Sequence, residues 1–349
     1  NYGELLGLEE MRLLGSEILG CKKEMVIAGG NSSLTLMAQY ISNLFFQGSG
    51  KGPWSMHERN SVLCPVPGYD RHFTLCDEFS INMIPIPLTG RGPDIEKAKA
   101  IVKNDSSVKG IWCVPKHSNP TGETYDTESI DGLLEIAGLK EEFKIFWDNA
   151  YAVHDFAESE PLPNIFSLAE EKNLVNSVIA FASTSKITFA GSGIGFIAMS
   201  QANLKSFIKH YSSIAIGPDK VNQLRHIKFF KDFQGLKRHM TKHADIVGPK
   251  FELVQEWLSK QNYGFWTKPT GGYFVTFKTK PGLAKEIVNL ANYAGLKLTP
   301  AGATFPYGVD PNDEIIRLAP TACNISELNQ AMELFNACVV LASLKKEVS

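Results

Sequence analysis

From residue 5 to residue 199, short apolar runs alternate with segments whose apolar residues recur at helical spacing. Leu5 to Leu19 carries the helical period, with Glu9, Glu10, Arg12 and Glu17 among the apolar positions. A short apolar strand then ends at Ala28, and Gly29-Gly30-Asn31-Ser32 leads into a second helical pattern. Further strands are predicted from Ser61, from Ile81 to Ile86, from Gly110 to Val114, from Lys144 to Trp147, at Val178–Phe181 and at Phe196–Met199. Helical stretches at Arg71–Phe79, Asp94–Val102, Thr127–Leu139 and Leu168–Asn173 separate them. Strand–helix alternation of this kind argues a mostly parallel sheet with helices on both faces.

The pattern changes after Met199. Ala202 to about Gln261 reads as long helices rich in basic residues, and His226, His239 and His243 are expected on a solvated helical face. The last third alternates at Gly271–Phe277, turns helical at Leu283–Ala294, forms a strand at Glu314–Ala319 and closes with a helix from Ser326 to about Leu344. That is an α+β unit, smaller than the first. A chain of 349 residues suits one large domain and one smaller one.

Composition narrows the classes of function. The net charge is −2, which supplies no electrostatic case for nucleic acid or a membrane surface. No apolar run approaches the ~20 residues needed to span a bilayer. The six cysteines are scattered without a C-x-x-C pair, and reduced core cysteines in a cytoplasmic protein are expected. No cluster at metal-ligand spacing accompanies the histidines. The first residue is Asn1 rather than methionine, and a missing N-terminal segment is expected.

The most informative stretch is Phe181-Ala-Ser-Thr-Ser-Lys-Ile-Thr-Phe-Ala-Gly-Ser-Gly-Ile-Gly195. Lys186 lies between two buried strands. Either its ammonium reaches solvent at a strand end, or it forms an imine with an aldehyde cofactor, for which a lysine of lowered pKa is needed. Other candidates have similar pairs of readings. Gly29 to Ser32 is a helix cap or an anion seat. Tyr69 is packing, or stacks on a flat ligand. Asn119-Pro-Thr-Gly122 is good turn chemistry. Asp148, at the end of an apolar strand, is a cap or a ligand-facing acid. Arg317 alternates with Ile316 and Leu318, so it is a surface residue or a carboxylate clamp in a cleft.

Taken in order, a glycine turn, a strand-end Tyr, Asn-Pro-Thr-Gly, Asp-x-x-Tyr, Ser-x-Ser-Lys and a late Arg resemble the fold-type I pyridoxal-phosphate aminotransferases along essentially the whole chain. Val114–Gly122, Ser185–Gly193 and Leu298–Gly308 resemble the MocR-type subgroup, which includes the subgroup Ic aspartate aminotransferases. The resemblance implies a large cofactor-binding domain, residues 1–225, with a mostly parallel seven-stranded sheet between helices. A small C-terminal α+β domain, residues 226–349, would follow. It implies pyridoxal 5'-phosphate held by Lys186, with Asp148 on the ring nitrogen and Asn119 and Tyr151 on the ring oxygen. Tyr69 would stack on the ring. Gly30, Asn31, Ser32, Ser183 and Ser185 would hold the phosphate, and Tyr2 would reach it from a partner subunit. Arg317, with Asn119, would grip the substrate α-carboxylate. Lys116, His117 and Arg225 are candidates for a distal carboxylate.

The implied reaction is ping-pong amino transfer in a homodimer with shared sites, between an amino acid, L-aspartate above all, and 2-oxoglutarate. Alternatives are an aromatic or 2-aminoadipate aminotransferase, a β-lyase, or a non-catalytic MocR-type ligand-sensing domain. One departure stands out. Many family members have Gly-x-Arg-x-Gly after the lysine, whereas Gly191-Ser-Gly-Ile-Gly195 has Gly193 in that place, as the MocR-like subgroup does.

Overall fold

A computed structural model describes residues 3–48 and 52–348. The large sheet has seven strands: β1 (Val26–Ala28), β2 (Ser61–Val66), β3 (Asn82–Pro87), β4 (Val108–Cys113), β5 (Lys144–Asp148), β6 (Val178–Ser183) and β7 (Gly195–Met199). Their order is β1-β7-β6-β5-β4-β2-β3. β7 runs antiparallel to both its neighbours, and the pairs from β6 through β3 are parallel. The mostly parallel seven-stranded expectation therefore holds.

Both faces of this sheet are covered, which is why its strands read as unbroken apolar runs. In β6, Val178, Ala180 and Ala182 join one core while Ile179 and Phe181 join the other. In β7, Phe196 and Ala198 face the first core, and Ile197 and Met199 the second. Helices α1 (Glu9–Leu19), α5 (Thr127–Gly138) and α6 (Ile165–Glu171) pack on the first side. Helices α2 (Ser33–Phe46), α3 (Asp70–Glu78) and α7 (Gln201–Ile214) pack on the second. Helix α4 (Ile95–Asn104) lies beside α5, and its N-cap Asp94 accepts from Lys97 N at 3.0 Å.

Helices α8 (Lys220–Phe230) and α9 (Phe233–Leu258) follow. α9 contributes Leu236 and Met240 to the large core and Val247 to Leu258 to a third core. That third core is built on a three-stranded sheet of order β10-β9-β8, with β8 (Gly264–Trp266), β9 (Val275–Thr279) and β10 (Ile315–Leu318). Helices α10 (Ala284–Tyr293) and α11 (Ile325–Val348) cover it.

One expectation is corrected here, and one strand is added. The alternating stretch at Gly271–Phe277 becomes a strand only from Val275, because Gly271 and Gly272 close a turn over His117 that leaves no space for a Cβ. β8 was not foreseen. Its three residues are too few to show a period, and Phe265 is exposed.

Candidate active site

Parallel strands bring their following loops to one edge of the sheet. Tyr69 follows β2, Asn119 follows β4, Asp148 ends β5, and Ser183 to Lys186 ends and follows β6. β1 points the same way, so Gly30 to Ser32 arrives at that edge too. The turn carrying Lys186 is closed by its own threonine: Thr184 N donates to Ile194 O, its carbonyl accepts from Thr188 N, and its Oγ1 accepts from Ile194 N at 2.9 Å. Tyr273 donates to the Lys186 carbonyl at 2.8 Å. The Lys186 Nζ lies 4.9 Å from the centre of the Tyr151 ring. Burial holds the amine below the ordinary lysine range, with the Asp148 carboxylate pulling the other way. Lys186 is half-buried in the turn between two buried strands, with its amine over the Tyr151 ring rather than out in solvent.

Asp148 is buried, and among the described residues its side chain has one hydrogen-bond partner: Oδ2 accepts from His72 Nε2 at 3.0 Å. The other oxygen, Oδ1, is buried without a hydrogen bond. His72 sits on α3, three residues after Tyr69, and stacks on Trp112 at 4.2 Å, which in turn stacks on Phe146 at 4.6 Å. This aromatic pillar fixes the histidine and, through it, the carboxylate. Tyr69 meets His72 edge-on at 4.9 Å. Burial, and then the Asp148 charge, pushes the Tyr69 hydroxyl up to about 12. Burial pushes Tyr151 well above its ordinary value as well, so both phenols keep their protons at neutral pH.

The glycine turns of β1–α2 and β6–β7 meet. Gly195 N donates to Gly30 O at 2.7 Å, and Gly29 N to Gly195 O at 2.8 Å. Asn31 Nδ2 donates to Gly191 O at 2.9 Å, and Ser185 Oγ to Asn31 O at 3.0 Å. Ser32 caps α2, its Oγ accepting from Leu34 N at 3.1 Å, and Ser183 Oγ accepts from Ser185 N at 3.4 Å. A cap uses the oxygen of Ser32 and leaves its proton, so cap and anion seat are compatible. A Cβ on Gly193 would fall 2.7 Å from Ser185 N, and one on Gly195 2.8 Å from the Ser32 backbone. No arginine fits at position 193 without moving the Ser185 backbone.

On the facing small sheet, Ile316 and Leu318 of β10 enter the third core while Arg317 turns the other way. Its Nη1 donates to Asp70 Oδ1 at 2.7 Å and to Asn119 Oδ1 at 3.2 Å, and its Nε to Thr299 Oγ1 at 3.3 Å. The guanidinium lies 5.0 Å from the Phe274 ring centre. An arginine and a carboxamide thus converge beside the lysine and the buried acid.

The family model described as aspartate amino-transferase matches residues 1–349. The chain belongs to that family. The aspartate aminotransferase of Corynebacterium glutamicum is 41% identical over 350 residues, spanning 98% of this chain and 81% of its own. A solved aspartate transaminase of the same organism matches with TM-score 0.95 and 40% identity, covering 99% of this chain and 83% of that one. An α-aminoadipate aminotransferase of Thermus thermophilus, solved with N-(5'-phosphopyridoxyl)-L-leucine, shares the fold at TM-score 0.83 and 19% identity, over 98% and 84% of the two chains. The protein is an aminotransferase enzyme of α/β fold-type I architecture, and relatives of this kind imply pyridoxal phosphate.

The aminotransferase site fits that cofactor on its own terms. A buried carboxylate oxygen without a partner awaits a donor such as a protonated ring nitrogen. A turn that would not admit a Cβ lines the place for a phosphate. The lysine beside them is held toward its neutral, nucleophilic form.

Several residues differ from expectation. His226, His239 and His243 do not form a solvated face. His226 and His239 pack against the lysine segment, His226 Nε2 on Thr188 Oγ1 at 2.9 Å and His239 Nε2 on Ile187 O at 2.7 Å, and His243 Nε2 meets Tyr273 Oη at 3.1 Å. Lys116 and His117 are both held by Asp155, at 2.7 and 2.8 Å, which holds its carboxyl far below the usual range against the effect of burial. Neither is poised for a distal carboxylate. Arg225 lies exposed on α8, beside Phe189 and Phe229. Tyr2 lies outside the described residues. The sequence reading missed His72 and Asp70. Their spacing from Tyr69 on a polar helix is the only signal, and it is a faint one.

Proposed function

We propose that this aminotransferase uses pyridoxal 5'-phosphate to move an amino group from L-aspartate to 2-oxoglutarate by a ping-pong route. The observation that carries the reading is the buried, unpartnered Asp148 Oδ1 beside a lysine of lowered proton affinity. The named Corynebacterium relative supports aspartate as the amino donor. When bound, the cofactor supplies an electron-withdrawing ring that stabilises negative charge at the substrate Cα. Asp148, oriented by His72, keeps a proton on the ring nitrogen. Lys186 would hold the cofactor, and its amine would move the proton at the substrate Cα. Tyr151 and Asn119 hydrogen-bond the ring oxygen, and Tyr69 covers the ring. Gly30, Asn31, Ser32 and Ser183 hold the phosphate with N–H and hydroxyl donors, with Ser185 assisting. Arg317, with Asn119, takes the α-carboxylate.

The same proposal places the chain in the MocR-type subgroup, in the cytoplasm, as a homodimer in which Tyr2 reaches the partner's phosphate. All six cysteines are free, and no described helix is long and apolar enough to cross a membrane. Phe189, Ile216, Val221, Leu224 and Phe229 are exposed and suit burial against a second copy. In the same reading residues 1–225 form the large domain and 226–349 the small one, with α8 running through that boundary and Phe230, Leu236 and Met240 beyond it still packed in the large core. A screen of amino donors tests the substrate: aspartate should give the highest kcat/KM, and inert aspartate with active aromatic or branched donors would overturn the assignment.

A further inference from the structure

Asp70 is the first residue of α3 and belongs to the large sheet's layers, whereas Arg317 belongs to the small sheet. Their ion pair spans the cleft at 2.7 Å, with side chains 30% and 11% exposed. The pair is made by one oxygen and one nitrogen, Oδ1 and Nη1. Among the described residues, no hydrogen bond reaches Nη2. A carboxylate with both oxygens available makes two parallel bonds to a guanidinium, a stronger arrangement than a single one.

We propose that Asp70 is a displaceable internal carboxylate: it pairs with Arg317 and yields to the α-carboxylate of either substrate. The inference rests on Arg317 being the α-carboxylate grip. Asp70 has somewhere to go. It is partly in water already, and the N-terminus of α3 favours a carboxylate in the first turn. Arg317 keeps its aim during the exchange, because Thr299, Asn119 and the Phe274 ring hold it from other sides. The exchange also discriminates. An amide or ester in place of the α-carboxylate carries no charge and cannot expel Asp70. The amino acid and the 2-oxo acid bear the same group, so Asp70 weakens both by the same factor. Interactions of this kind act on KM and leave kcat alone.

The test compares holoenzymes carrying Asp70→Asn, Asp70→Ala and Asp70→Glu with the parent, measuring KM for L-aspartate and 2-oxoglutarate and kcat. The neutral variants should lower both KM values by about 3–5-fold, the scale of a partly exposed ion pair, with kcat within about two-fold. Asp70→Glu, which restores a carboxylate, should return both toward the parent. Raised or unchanged KM values in the neutral variants would overturn the proposal and make Asp70 an ordinary support for Arg317. Arg317→Lys separates the two layers of argument. If it raises both KM values while Asp70→Asn does not lower them, only the displacement idea fails. If Arg317→Lys leaves KM unchanged, Arg317 is not the grip and both fail.

Discussion

Gly193 shapes the proposed phosphate site through what it lacks. The turn it belongs to folds back on Ser185 so closely that a methyl group would meet backbone nitrogen at 2.7 Å. A glycine here is therefore a packing requirement, and the arginine common in the wider family could not simply be restored. Gly193→Ala should weaken pyridoxal phosphate binding about 10-fold, in line with ~1–3 kcal/mol of overpacking strain. A fluorescence titration of the apoenzyme reads this directly. Unchanged affinity would mean that the turn gives way and that the cradle is not rigid. Other residues of the site were readable from type and order alone: a lysine between apolar strands, an acid at a strand end, an arginine out of phase with its apolar neighbours. His72 was not, because a histidine in a polar helix looks like surface until the sheet brings Asp148 beneath it. Asp70 was hidden for the same reason, its partner lying in the other sheet.

At the scale of elements, the loop carrying Asn119 is tied to a neighbouring turn by Glu123. The Glu123 carboxylate accepts from Gly92 N at 2.9 Å, and its carbonyl from Ser118 N at 2.9 Å. Burial pushes this carboxyl from 4.5 up to about 7, against the hydrogen bonds that favour its charged form. Between those values the folded chain holds a proton that the unfolded chain has lost. Stability from this group is thus complete below about 4.5 and falls as pH rises toward 7. Glu123→Gln keeps an acceptor and removes the titration. The parent's melting temperature should drop more than the variant's between pH 5 and 8, by about 2 °C or more. Parallel curves would contradict it. The strand–helix order of the large sheet was legible because both its faces are buried and its strands are continuous apolar runs. β8 and the packed histidine faces were not. Three residues carry no period, and a basic helix reads as solvated until its ring nitrogens meet Ile187, Thr188 and Tyr273.

For the whole molecule, Lys186, the buried Asp148 and the Gly30–Ser32 turn lie on the large sheet's edge and Arg317 on the small sheet, the places that the proposed lysine, acid, phosphate and carboxylate roles need. α9 joins them, anchored in both cores. Catalysis then requires that two sheets close on one substrate, which is why Arg317, Asn119 and Asp70 meet across the cleft. Together these parts are proposed to form one working aminotransferase site. Its most direct test is the absorption spectrum of the purified protein with pyridoxal phosphate, taken before and after L-aspartate and again after 2-oxoglutarate. The account predicts a cofactor band that depends on Lys186, is converted to the pyridoxamine form by aspartate, and is regained with 2-oxoglutarate. A protein with Lys186 intact that gives no protein-bound cofactor band would contradict it.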